Sequence, residues 1–158
     1  MHKIMSRLQQ LIDNAIKEKS IIEKAYGAFP VEIASDCGKS EVKEIIERLD
    51  ELSLEKTKVE KWDGDTQDDI WRAQSGFSEL LENILPKYVS DICKGLKSEY
   101  NDTRFYICYA LSKSPSSEAI DTLSEYVENE MSKDHREIAF SALKACKKKI
   151  GIFKRLFK

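Results

Sequence analysis

Two stretches of the chain, 32 residues apart, repeat one pattern: Asp-x-Arg, then Ala-Leu beginning six residues after the arginine. The first copy is Asp102, Arg104, Ala110 and Leu111; the second is Asp134, Arg136, Ala142 and Leu143. A recurrence of this period is what stacked helical hairpins produce, because each hairpin is one supersecondary unit that cannot bury its apolar face alone. Stacked hairpins make surfaces that hold partners, so the repeat points toward binding and away from a reaction pocket.

The rest of the chain has helical periodicity as well. Ile4, Leu8, Leu11, Ala15, Ile22 and Ala25 fall on one side of a first long helix that ends near Gly27 and Pro30. The segment from Phe29 to Lys39 is irregular, and Val31-Glu32-Ile33 within it reads either as a short extended piece or as a loop. Ser40 suits an N-cap, with Glu41 in the first turn and the stripe Val42, Ile45, Ile46, Leu49, Leu52 behind it. A polar linker from about Leu54 to Gly64 leads to a third helix, starting at Asp65, whose buried side is Ile70, Ala73, Phe77, Leu80, Leu81 and Ile84. Pro86 cuts that helix, and a shorter one with Val89, Ile92, Cys93 and Leu96 follows.

In the repeat region, Phe105 to Leu111 is apolar almost all round and predicts the most buried helix. Ser114 then reads as a cap with Pro115 in the first helical position, ahead of Ala119, Ile120, Leu123, Val127 and Met131. The final helix carries Ile138, Ala139, Ala142, Leu143 and Cys146, with Gly151 breaking or bending it. The fold class expected is all-α: a helical-hairpin array of seven to eight helices in a single domain over residues 1–158, irregular over 1–100, repeat-like over 101–150 and a basic tail over 151–158.

Charge separates within this layout. Lys147, Lys148, Lys149, Lys154, Arg155 and Lys158 give six cations and no acid in the last twelve residues, so the preceding 146 residues carry −8 against a total of −2. Such asymmetry favours a cationic partner on the body, an anionic partner at the tail, or a tail folded back on its own body. The tail alternates these cations with Ile150, Phe153, Leu156 and Phe157; such a segment can lie on an anionic membrane, grip nucleic-acid phosphates or fold over the open end of the helix stack, the last being the plain structural reading. On the body, Glu118, Asp121, Glu125 and Glu128 step by three, four and three, which places four carboxylates on one helix face opposite Ile120, Leu123 and Val127. Like charges at this spacing oppose the helix by a few tenths of a kcal/mol per pair, so they gain when a cationic surface docks; a solvated helix face is the plain structural reading of the same row.

Motifs for chemistry are incomplete. Gly38-Lys39-Ser40 imitates the end of a phosphate-binding loop, but the glycine required five places earlier is Ile33. Asp63-Gly64-Asp65-Thr66-Gln67-Asp68-Asp69 collects oxygen ligands without the glycine and closing glutamate of a calcium loop, and acids before a helix serve its dipole. His2 is terminal and His135 sits beside Asp134 at a repeat junction, so neither completes a catalytic or zinc arrangement. No cofactor, metal or catalytic residue is expected, and the chain does not read as an enzyme. Cys37, Cys93, Cys108 and Cys146 are scattered, with no C-x-x-C pair, and fit reduced, buried thiols in a cytoplasmic protein. No apolar leader begins the chain, and its longest apolar run, Phe105 to Leu111, is far short of the roughly 20 residues that span a bilayer.

The spacing Arg-x-x-Ala-x-x-Ala-Leu at Arg136, Ala139, Ala142 and Leu143 resembles the first helix of a short HEAT-like repeat of the phycobilin-lyase type. Arg104, Ile107, Ala110 and Leu111 follow it with isoleucine replacing the first alanine, whereas Arg72, a further 32 residues upstream, has Ser78 and Glu79 where Ala and Leu belong. The resemblance implies a binding scaffold. Small, acidic helical proteins of this kind also resemble bacterial immunity proteins that neutralise nuclease toxins, which implies occlusion of a basic partner by the acidic helix. Nucleic-acid binding through the basic tail is the alternative.

Overall fold

The computed structural model describes residues 4–19, 29–130 and 132–156, with residues 153, 154 and 156 described by their backbone. Among them are seven α-helices and no strand: α1 (Arg7–Glu18), α2 (Lys39–Lys58), α3 (Gly64–Ile84), α4 (Val89–Cys93), α5 (Asn101–Lys113), α6 (Ile120–Asn129) and α7 (Lys133–Leu156). Three 3₁₀ turns, Val31–Asp36, Lys94–Lys97 and Ser117–Ala119, lie between them. The protein is all-α.

The helix starts are set by capping chemistry, and several differ from the sequence expectation. Ser6 caps α1, its Oγ accepting from the Gln9 N–H at 3.1 Å, so Ile4 precedes the helix and is 93 % exposed instead of buried. α1 stops at Glu18, where Lys19 turns to extended backbone, short of the end expected near Gly27 and Pro30; Ile22, Ala25 and Gly27 lie outside the described residues. Val31-Glu32-Ile33 is neither strand nor open loop but a 3₁₀ turn that buries Ile33. Gly38, not Ser40, is the N-cap of α2, because Glu41 reaches back to accept the Gly38 N–H at 2.8 Å. This helix runs on to Lys58, so the expected linker shrinks to residues 59–63, and Asp63 caps α3 by accepting from the Thr66 N–H at 3.2 Å.

α5 lies at the centre, packed against α2 and α3 on one side and most extensively against α7 on the other. Thr103, Ile107, Cys108, Ala110 and Leu111 are buried, while Phe105 and Tyr106 are half-buried and Tyr109 is 40 % exposed. The expectation of an all-round buried helix therefore holds for one side only. Phe105 and Tyr109 stack along the flank at 6.3 Å. Gly95 allows the turn before α5 to approach closely, since a Cβ there would lie 2.7 Å from Ile107 Cγ1. Gly76 does the same for Phe29, whose ring meets Phe77 edge-on at 5.0 Å.

Both copies of the sequence repeat bury their Ala-Leu pair: Ala110, Leu111, Ala142 and Leu143 all belong to one core that extends from Leu8 to Cys146. Their polar halves diverge. Asp102 accepts from Lys56 Nζ at 2.8 Å and Gln74 Nε2 at 3.2 Å, and Arg104 is drawn into an ion pair, whereas Asp134 and Arg136 are exposed. All four cysteines are free and buried. Burial pushes the thiols of Cys37 and Cys93 up to about 11 and that of Cys108 to about 12. No helix among the described residues is long and apolar enough to cross a membrane.

Candidate protein-docking surface

The acidic row begins in a 3₁₀ turn and continues through α6. Ser116, not Ser114, is the cap here, and its Oγ accepts from the Glu118 N–H at 3.3 Å. Ser114 instead closes α5, donating its N–H to the Ala110 carbonyl at 2.9 Å. Pro115 consequently lies in the connection, ahead of the first helical position. Glu118 thus stands on the turn, and Asp121, Glu125 and Glu128 follow within an arc of about 60° on the helix.

All four residues are exposed, and none of their carboxylates has a hydrogen-bond or ion-pair partner among the described residues. Leu123 on the opposite side is fully buried, with Ile120 and Val127 half-buried beside it. Met131, expected to extend this apolar side, lies outside the described residues.

Both ends of this segment are held. At its start, Lys149 Nζ of α7 donates to the Pro115 carbonyl at 3.0 Å. At its end, Glu130 is buried, and its Oε2 accepts from Arg104 Nε at 3.1 Å and from the Tyr126 hydroxyl. Glu130 Oε1 accepts the Ser132 N–H at 3.1 Å, and Arg104 Nη1 donates to the Ser98 carbonyl at 2.8 Å. Burial alone would push the Glu130 carboxyl up, but these hydrogen bonds and the guanidinium charge together hold it below the usual carboxylate range. Burial and then its bond to Glu130 push the Tyr126 hydroxyl up. Sequence reading missed this cluster: Arg104 entered only as a repeat position, and the signal available was Tyr126 and Glu130 four residues apart on one helix face.

α7 is continuous through Gly151 to Leu156, because a single glycine costs a helix only about 1 kcal/mol against alanine. Lys147, Lys148, Lys149 and Arg155 are exposed, the Lys154 side chain and Lys158 lie outside the described residues, and no described tail cation pairs with the acidic row. Of the tail lysines with described side chains, Lys149 alone is tied back, to Pro115.

The other candidates resolve into structural roles. The Gly38 N–H, which a phosphate would need, already serves the Glu41 carboxylate, and that carboxylate pairs with Arg7 at 3.0 Å. Asp63 serves Thr66 twice, through the cap and through the Thr66 hydroxyl at 2.7 Å. His135 Nδ1 lies 2.8 Å from Ser132 Oγ, with the ring edge-on to Phe105. His2 lies outside the described residues. A groove of about 810 Å³ between α2 and α4 brings together Lys39, Lys43 and Lys94, but their charges are met by Asp91 and Glu47 at 3.2 to 3.9 Å. No known protein family, curated protein or solved structure matches the chain.

Proposed function

We propose that the chain is a protein-binding module that masks or recruits a basic partner through Glu118, Asp121, Glu125 and Glu128. The observation that carries this is four exposed carboxylates without partners among the described residues, three of them within one arc of α6 and the fourth on the turn before it, on a segment held at both ends. Holding matters because a preorganised surface loses little freedom on association. A row of fixed carboxylates competes with phosphates for Lys and Arg side chains, so the form we favour is an immunity protein that occludes a nuclease-type toxin in the cytoplasm. Charge complementarity would speed encounter, and adjacent apolar contacts would slow dissociation. The resemblance of residues 101–150 to HEAT-like repeats supports a scaffold role, and four reduced, buried cysteines suit a reducing compartment.

Capture from native lysate, with and without nuclease, tests this. One stoichiometric basic protein is expected to survive nuclease and to be lost from the Asp121→Lys/Glu125→Lys variant. Equal capture by that variant removes the acidic row from the contact. A second reading is favoured by the helical continuation of α7, which exposes Lys147, Lys148 and Arg155 to a polyanion. Nucleic acid that co-purifies and dissociates steeply with salt would support it.

A further inference from the structure

The chain has two tryptophans, and both are outside: Trp62 is 83 % exposed and Trp71 is 59 % exposed. Tryptophan is the largest apolar side chain, and leaving both in water forgoes the burial that a core would have supplied. Exposed large aromatics are instead the residue type that dominates binding energy at protein interfaces. Trp62 stands on the turn before α3, and Trp71 lies two helical turns into that helix, seven residues after Gly64 and so on nearly the same helix face as Gly64. Side chains of a helix lean in general toward its N-terminus, the end of α3 at which Trp62 stands. Around Gly64 the space is open, with no atom within 4 Å of where a Cβ would stand. Asp65 and Asp68 are exposed and without partners among the described residues, whereas Arg72 is met by Asp69 at 3.9 Å.

We infer that Trp62 and Trp71 form a second docking surface, on α3, for an arginine- or lysine-bearing segment of a protein partner. The aromatic faces take the cation and its alkyl stem, and Asp65 and Asp68 take the charge. Residues 60–72 carry five acids against two cations, a balance that repels nucleic acid and anionic lipid and selects a cationic occupant. Only the sign of the partner's charge is shared with the α6 surface.

The probe is a dye-labelled peptide of four Arg-Gly repeats, with four Glu-Gly repeats as control. Saturable binding of the arginine peptide is expected to quench tryptophan emission. Affinity should fall about tenfold in Trp62→Ala and in Trp71→Ala. Both positions are exposed, so circular dichroism should show both variants folded. No saturable binding, unchanged tryptophan emission at saturation, or undiminished affinity in the double variant overturns the inference. Self-association that the tryptophan variants abolish would assign the surface to a second copy and overturn it equally. Loss of binding only on Asp121→Lys/Glu125→Lys would support the α6 surface and overturn this one.

Discussion

Arg104 Nε lies 3.1 Å from Glu130 Oε2, with the two side chains 15 % and 6 % exposed, and this pair joins the first turn of α5 to the corner between α6 and α7. Tyr126 and the Ser132 N–H complete the carboxylate's shell. Removing one partner strands the other's charge in a poorly hydrated site. Arg104→Met is therefore expected to destabilise the protein by about 3 kcal/mol in urea unfolding. Arg104→Met combined with Glu130→Gln should lose clearly less, because no uncompensated charge remains. Equal losses would show that packing, not charge, is responsible.

Glu41 and Glu130 both titrate below the usual carboxylate range. For Glu41, burial raises the value, and the Gly38 N–H and Arg7 guanidinium more than offset it. A carboxyl depressed by folding contributes stability that is fully present above its unfolded value of about 4.3 and lost as pH falls through its folded value. The urea midpoint should thus hold from pH 7 to about pH 5 and drop below it, and Glu130→Gln should flatten that drop. A midpoint that rises on acidification would contradict the assignment.

Gly95 tests the centre of the fold. An alanine Cβ there meets Ile107 side-chain atoms at 2.7 and 2.9 Å, and Ile107 is fully buried, so the side chain must shift within a packed core. Gly95→Ala should cost about 1–3 kcal/mol. Paired with Ile107→Ala, it should cost less than the two single losses added together.

Buried thiols with raised values are poor nucleophiles. An aromatic disulfide reagent at pH 8 is expected to leave Cys37, Cys93, Cys108 and Cys146 unmodified in the folded protein and to modify all four in urea. Rapid reaction of any one under native conditions would contradict the burial described for it.

Periodicity made the helices legible in advance, because Val42, Ile45 and Leu49, or Ile70, Phe77, Leu80 and Ile84, can be buried together only at a spacing of 3.6 residues. Helix ends were less legible. Glu41 displaced Ser40 as the organiser of α2 by reaching a backbone N–H three residues back, and Gly151 failed to break α7. The outward face of Glu118 to Glu128 followed from local spacing, since its opposite side is Leu123. What holds that face did not, because Arg104 and Glu130 are 26 residues apart and only tertiary packing brings them together.

We propose the α6 carboxylates as the contact for a basic partner. The dissociation constant of the captured partner for the wild-type chain and for Asp121→Lys/Glu125→Lys, each measured at low and moderate salt, decides whether they are. The wild type should bind at least tenfold more tightly than the variant at low salt, with the gap narrowing as salt rises. Equal constants at both salt concentrations would contradict the claim.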